Sequence, residues 1–162
     1  MVRQTVGIRI HTATVREAWV DYNGHMGDFA YGIVFSDATT AYMDRIGIDA
    51  SYRAMTGATL YTLDSRIGYL RECHVGAMLN IDLLVLDVDH KRIHIFMRMV
   101  DADGEDLAFC EQVLMHISRS GEVPKSASFP VLSRNLLEAD RSDHMVIDRP
   151  AWIGRRIGLS RN

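Results

Sequence analysis

The chain has 162 residues, 48% of them hydrophobic and 24% charged, the balance of one globular domain rather than a disordered or fibrous chain. Eighteen Lys and Arg stand against 21 Asp and Glu, a formal charge of -3, so bulk electrostatics gives no reason to expect a nucleic-acid partner. A domain of this length removes roughly two thirds of its unfolded surface from water, enough to hold a core without disulfides or a metal.

The first strand signal is Thr12 to Val20, rich in β-branched and aromatic residues and ending at Asp21-Tyr-Asn-Gly24, where Asn-Gly marks a turn. Asp28 to Ile46 predicts the one long helix, with Asp28 as N-cap and Gly47 where the helix should stop. Ala30, Ile33, Val34, Asp37 and Ala41 mark its expected inner stripe, which Asp37 interrupts. After a loop, Thr59 to Arg71 alternates loosely, and Met78 to Val88 is apolar on both faces, as in a strand covered on both sides. Arg92 to Met99 alternates as a half-buried strand, Asp101 to Glu105 turns, and Leu107 to Ile117 completes an antiparallel meander. Beyond Ser118 come a short helical candidate, Leu132 to Asp140, and a tail with Arg149, Arg155, Arg156 and Arg161.

The expectation is a single α+β domain over 1–162, its core about 12–118 and its segment 119–162 peripheral. One long helix lies against a curved antiparallel sheet of at least five strands. The longest run free of Asp, Glu, Lys and Arg is ten residues, Ala54 to Leu63, against the roughly 18 that suggest a membrane span. With no apolar signal core at the N-terminus, no membrane partner and a cytoplasmic location are expected. Cys73 and Cys110 form no CxxC pair and read as free thiols. His90 and His94 would stand about 13 Å apart on a strand, too far to share an ion, so no metal site is expected. Neither a GxSxG elbow nor a P-loop occurs.

Chemistry concentrates in Trp19-Val-Asp-Tyr-Asn-Gly-His-Met-Gly-Asp28, where a strand, a carboxylate, a glycine turn and a helix N-terminus meet. Unpaired amides near Gly27, Asp28 and Phe29 would favour a carbonyl oxygen gaining negative charge. Asp21 could then attack the polarised carbonyl or activate a water. Asp before Asn-Gly is equally at home as a turn carboxylate. His25 could orient Asp21, contact substrate or bond to backbone.

The segment Asp21-Tyr-Asn-Gly24-His25 before a long helix resembles the hotdog-fold acyl-CoA thioesterases of the 4-hydroxybenzoyl-CoA thioesterase type. Tyr31 fits their pattern, whereas Gly27 stands where many members have Asn. The likeness runs from about Thr12 to Ser118 and includes the order of elements. More narrowly, Glu17 to His25, Met43 to Gly47, Tyr69 to Glu72, Lys91 to His94 and Gly154 to Gly158 are similar to the betainyl-CoA thioesterases of carnitine breakdown, which also occur fused to carnitine dehydrogenase. The resemblance implies thioester hydrolysis with Asp21 as catalytic carboxylate, and no cofactor, coenzyme A being part of the substrate. It also implies a homo-dimer or homo-tetramer with sites at the subunit interface.

A trimethylammonium acyl group would ask for an aromatic cage, and Trp19, Tyr22, Tyr31, Tyr61 and Tyr69 are candidates, each also readable as an ordinary core aromatic. Asn23, Gly24 and Glu72 complete the expected substrate contacts, Glu72 being equally an exposed strand-end carboxylate. Lys91 and Arg92, or the tail arginines, could meet the coenzyme A phosphates or simply be solvated. Two other readings stay open. The same segment looks like a shortened D-x-N-P-x-H motif of hotdog enoyl-CoA hydratases, and a non-catalytic acyl-CoA-binding domain would use the same pocket.

Overall fold

The computed structural model describes residues 7–159. In chain order it contains β1 (Ile8–Thr14), a 3-10 turn (Glu17–Trp19), α1 (Asp28–Arg45), α2 (Ala50–Thr56), β2 (Ala58–Tyr69), β3 (Met78–Val88), β4 (Arg92–Val100), β5 (Asp106–Ser118), β6 (Lys125–Ser126) and α3 (Val131–His144). The sheet is antiparallel in the order β1-β3-β4-β5-β2, with the two-residue β6 on β5. One 18-residue helix wrapped by this sheet is the hotdog arrangement expected from the sequence.

Several local expectations are corrected. The strand expected over Thr12 to Val20 starts earlier and ends at Thr14, and Glu17–Trp19 coils into the 3-10 turn. Asp28 is the first helical residue, not the cap; Gly27 holds the cap position without a side-chain bond. The inner face of α1 is Ala30, Tyr31, Val34, Phe35, Ala38 and Tyr42, while Ile33 and Asp37 face outward. The three aromatic rings carry more apolar area than Ile33 and Ala41, and burying them fixes the rotation of the helix. α2 forms where the sequence predicts a loop: Asp49 caps it, accepting from the Tyr52 amide at 2.8 Å, and Gly57 ends it at φ +66°.

β3 is buried from Leu79 to Leu86, covered on both faces as expected, but the cover comes from the segment expected to be peripheral. β1 pairs with β3 only as far as Leu83. Beyond it the open edge of β3 meets α3, where the Val85 amide donates to His144 Nδ1 at 2.8 Å, which closes an edge that would otherwise be free to pair. Asp140, 6% exposed, accepts from Tyr42 Oη at 3.0 Å and from Arg45 Nη2 at 2.9 Å, tying α3 to the end of α1. On the other face of the sheet Ile147, Trp152 and Ile153 cover Leu84, Leu86, Phe96 and Phe109, with Trp152 stacked on Phe109 at 5.4 Å. Glu111 pins this tail: it accepts from the Gly154 amide at 2.9 Å, Arg66 at 3.1 Å and His94 at 2.8 Å. Gly68 sits beneath the same stack, where an added Cβ would lie 2.1 Å from the Phe109 ring.

The His144 contact carries a pH dependence. Accepting from the Val85 amide requires a bare Nδ1, and burial pushes the imidazole pKa below its ordinary 6.5, aided by Arg45 and opposed by Asp140 and Asp143. The unfolded chain therefore binds this proton more readily than the folded one, so the contribution is complete above pH about 6.5 and is lost as pH falls toward the lowered folded value. The expected result is a melting temperature that drops between pH 7 and pH 5, with a shallower drop in His144→Ala when both are followed by circular dichroism.

Candidate active site

The loop that enters α1 is built around Asp21. An antiparallel bridge between Val20 and Met26 closes it, the Asp21 amide donates to the His25 carbonyl at 2.9 Å, and the Gly24 amide donates to the Asp21 carbonyl at 3.0 Å. Gly24 takes φ +79°, a conformation that costs glycine nothing. Asp21 Oδ1 accepts from the Asn23 amide at 2.8 Å and the His25 amide at 3.4 Å, while among the described residues its other oxygen, Oδ2, has no partner. One carboxylate oxygen thus shapes the turn and the other is left unpartnered.

Two backbone bonds hold the loop from below: Gly27 N–H to the Trp19 carbonyl and Met26 N–H to the Cys73 carbonyl, both 2.8 Å. Trp19 is buried at 8% exposure with the Arg16 guanidinium 5.0 Å over its ring. Its buried ring and its carbonyl, which holds the Gly27 amide, make it a support of the loop. The oxyanion expectation is narrowed in the same way. The Gly27 amide is taken by Trp19, and the Phe29 amide donates to the Asp28 carboxylate at 2.8 Å. Among the described residues the Asp28 amide alone of the three has no partner, and it stands at the positive end of α1.

Facing this helix end is the close of β2. A cleft of about 340 Å³ is lined by His25, Asp28, Tyr31, Tyr69, Arg71 and Glu72, among others. Tyr69 meets Tyr31 edge to face at 5.1 Å. The buried Tyr31 hydroxyl donates to the Arg71 carbonyl and the Cys73 sulfur, each at 3.3 Å, and burial, followed by the Cys73 contact, pushes its pKa well above the ordinary tyrosine value. It is a fixed neutral donor that locks α1 to the residues after β2. Of the other aromatics, Tyr22 projects into solvent at 96% exposure, and Tyr61 lies toward the opposite end of β2. Of the cage candidates, Tyr31 and Tyr69 line the cleft.

His25 holds Asp21 through its backbone alone, its ring being turned to Glu72. Its Nε2 lies 3.2 Å from Glu72 Oε2, and its ring meets that of His74 at 4.9 Å. Asn23 and Gly24 form the turn beside the cleft. Lys91 and Arg92 do not join this site within one protomer. They sit beyond the far end of β3, and its eleven residues span roughly 30 Å at about 3.3 Å per residue. Arg92 there pairs with Asp89 at 2.7 Å, and the Lys91 ammonium donates to Ser126 at 3.3 Å. His90 and His94 take separate carboxylates, Asp89 at 4.0 Å and Glu111 at 2.8 Å. Sequence reading missed Arg71, which lines the cleft, and His74, which lies against the His25 ring outside that lining. Arg71 could have been found as the neighbour of Glu72, whereas His74 is brought in only by the tertiary bond between Met26 and Cys73.

A carboxylate with one oxygen unpartnered, a helix N-terminus with a free amide and the neighbouring cleft thus come together at the start of α1 on a hotdog fold. Residues 15–139 match the Thioesterase-like superfamily, and the chain belongs to it. It is 41% identical to the betainyl-CoA thioesterase of Pseudomonas aeruginosa over 87% of this chain and 88% of that protein. It is 35% identical, over 95% of its length, to an L-carnitine dehydrogenase/betainyl-CoA thioesterase of Rhizobium meliloti, of which it spans 31%. Among solved structures, a hypothetical protein of Staphylococcus aureus in complex with CoA superposes with a TM-score of 0.88 at 27% identity, covering 98% of this chain and 99% of that one.

Proposed function

We propose that the chain hydrolyses the thioester of a small acyl-CoA, with betainyl-CoA as substrate, giving the free acid and coenzyme A. The observation that carries the reading is the free Oδ2 of Asp21 on a loop fixed at the N-terminus of α1. The thioester carbonyl oxygen accepts from the Asp28 amide, and developing negative charge gains from the helix end. Asp21 either takes a proton from the attacking water or attacks the carbonyl itself, forming an anhydride that water then opens. By either route the C–S bond breaks, the thiolate leaves and takes a proton, and water supplies the acid's oxygen. The balance requires water alone and no redox partner.

The acyl end lies toward Tyr69 and Glu72. A trimethylammonium group is held by a ring face and a nearby carboxylate, and Tyr69, 52% exposed beside Glu72 in the cleft, offers both. His25, paired with Glu72, is then a positioning residue for the acyl end. Arg71, which lines the same cleft with its side chain 56% exposed and paired with Glu105 at 3.1 Å, offers a cation to coenzyme A. Lys91 and Arg92 would reach the phosphates only from a second protomer. The exposed middle of β2, with Leu63 at 50% and Tyr61 at 39% exposure, supports a homo-oligomer joined along this sheet edge. Among the described residues no helix is long and apolar enough to cross a membrane.

The test is release of free coenzyme A, followed with a thiol reagent, from betainyl, short-chain, long-chain and aromatic acyl-CoA. Betainyl-CoA is expected to give the highest kcat/KM. Preference for another member would overturn the acyl assignment, and turnover of none would overturn hydrolysis itself.

A further inference from the structure

We propose that His25, Glu72 and His74 form a site for a zinc ion at the mouth of the cleft, and that its occupation inhibits the enzyme. The inhibitory part rests on the function proposed above; the binding part does not. One ligand atom from each of the three residues lies within 4.8 Å of the others. A tetrahedral zinc site with bonds of about 2.0–2.1 Å places its ligand atoms about 3.4 Å apart, and the His25–Glu72 contact is already 3.2 Å. His74 and Glu72 are exposed, so a shift of about 1.4 Å needed to reach bonding distance meets little packing.

The supporting frame is already in place. The Met26 to Cys73 backbone bond fastens the loop of His25 to the segment of Glu72 and His74. His74 Nδ1 lies 3.3 Å from the Gly24 carbonyl, the kind of outer partner that fixes the tautomer of a ligating imidazole and leaves Nε2 with its lone pair. Two imidazoles and one carboxylate suit zinc with a fourth position open to solvent, and not magnesium or calcium, which prefer all-oxygen shells.

A bound dication would engage the Glu72 carboxylate, clamp the Asp21–His25 loop to the segment that follows β2 and place positive charge where a cationic acyl group must sit. Inhibition therefore falls on KM more than on kcat, and more on betainyl-CoA than on a neutral acyl-CoA of similar size.

The experiment is calorimetric titration of chelator-treated protein with zinc chloride and, separately, magnesium chloride, for wild type, His74→Ala and Glu72→Gln. One zinc per protomer is expected, with no magnesium binding and at least a tenfold weaker affinity in each variant. His74→Ala should retain basal hydrolysis and lose zinc inhibition. Zinc binding unaltered in both variants, or absent from wild type, overturns the site. Zinc binding by a protein that hydrolyses no acyl-CoA leaves the site standing and overturns the function instead. Should His74→Ala fail to fold by circular dichroism, Glu72→Gln decides the binding question.

Discussion

Asp21→Asn is expected to lower CoA release by about 10²- to 10⁴-fold, the usual share of a positioned acid-base group. It should do so with little loss of stability. The turn needs only an acceptor at the Asp21 side chain for the amides of Asn23 and His25, and an asparagine carbonyl supplies it. What asparagine lacks is the charge on the oxygen that the turn leaves free. A steady-state assay together with a thermal melt separates the two roles. A dead enzyme melting within a few degrees of wild type assigns chemistry to the carboxylate. An active variant would make Asp21 a turn residue and move the catalytic group to another residue, while a dead variant with a collapsed melting curve would make its role structural.

The second large effect is on stability. Asp140→Ala should cost about 2 kcal/mol, because it strands the hydroxyl of Tyr42, which is 1% exposed and has Asp140 as its partner, a loss in the range of about 1–3 kcal/mol for a buried group left unpaired. The Arg45 half of the interaction adds little, its side chain being 46% exposed and able to turn to water. Urea unfolding checks the value. In the background of Tyr42→Phe the same substitution should cost markedly less, since the stranded hydroxyl is gone; an undiminished cost would assign the loss to the packing of α3.

The sheet was largely legible in the sequence because its strands obey local rules. β3 matches its expected bounds residue for residue, and β4 and β5 differ by a residue at one or both ends, since continuous apolar runs and a five-residue turn admit few other readings. The rotation of α1 was not legible. Apolar residues lie on more than one side of that helix, and the choice between Ile33 and Phe35 is made by the sheet it rests on. The same division holds in the site. The Asp21–Gly24 turn was readable because its bonds are local. The meeting of His25 with Glu72 and His74 depends on a contact between residues nearly fifty positions apart, to which neither segment's pattern points. The placement of Lys91 and Arg92 could have been foreseen, because an eleven-residue strand carries its two ends far from each other whatever the side chains are.

The closure of β3 by α3 also sets an order of events during synthesis. The far half of β3 leaves the ribosome more than forty residues before the His144 that caps its edge. A nascent chain ending near Ser118 therefore carries an open strand edge and, on the sheet's other face, uncovered Leu84, Phe96 and Phe109. Such intermediates associate through edges and apolar faces. Truncation after β5 is accordingly expected to fail by aggregation rather than by loss of the site.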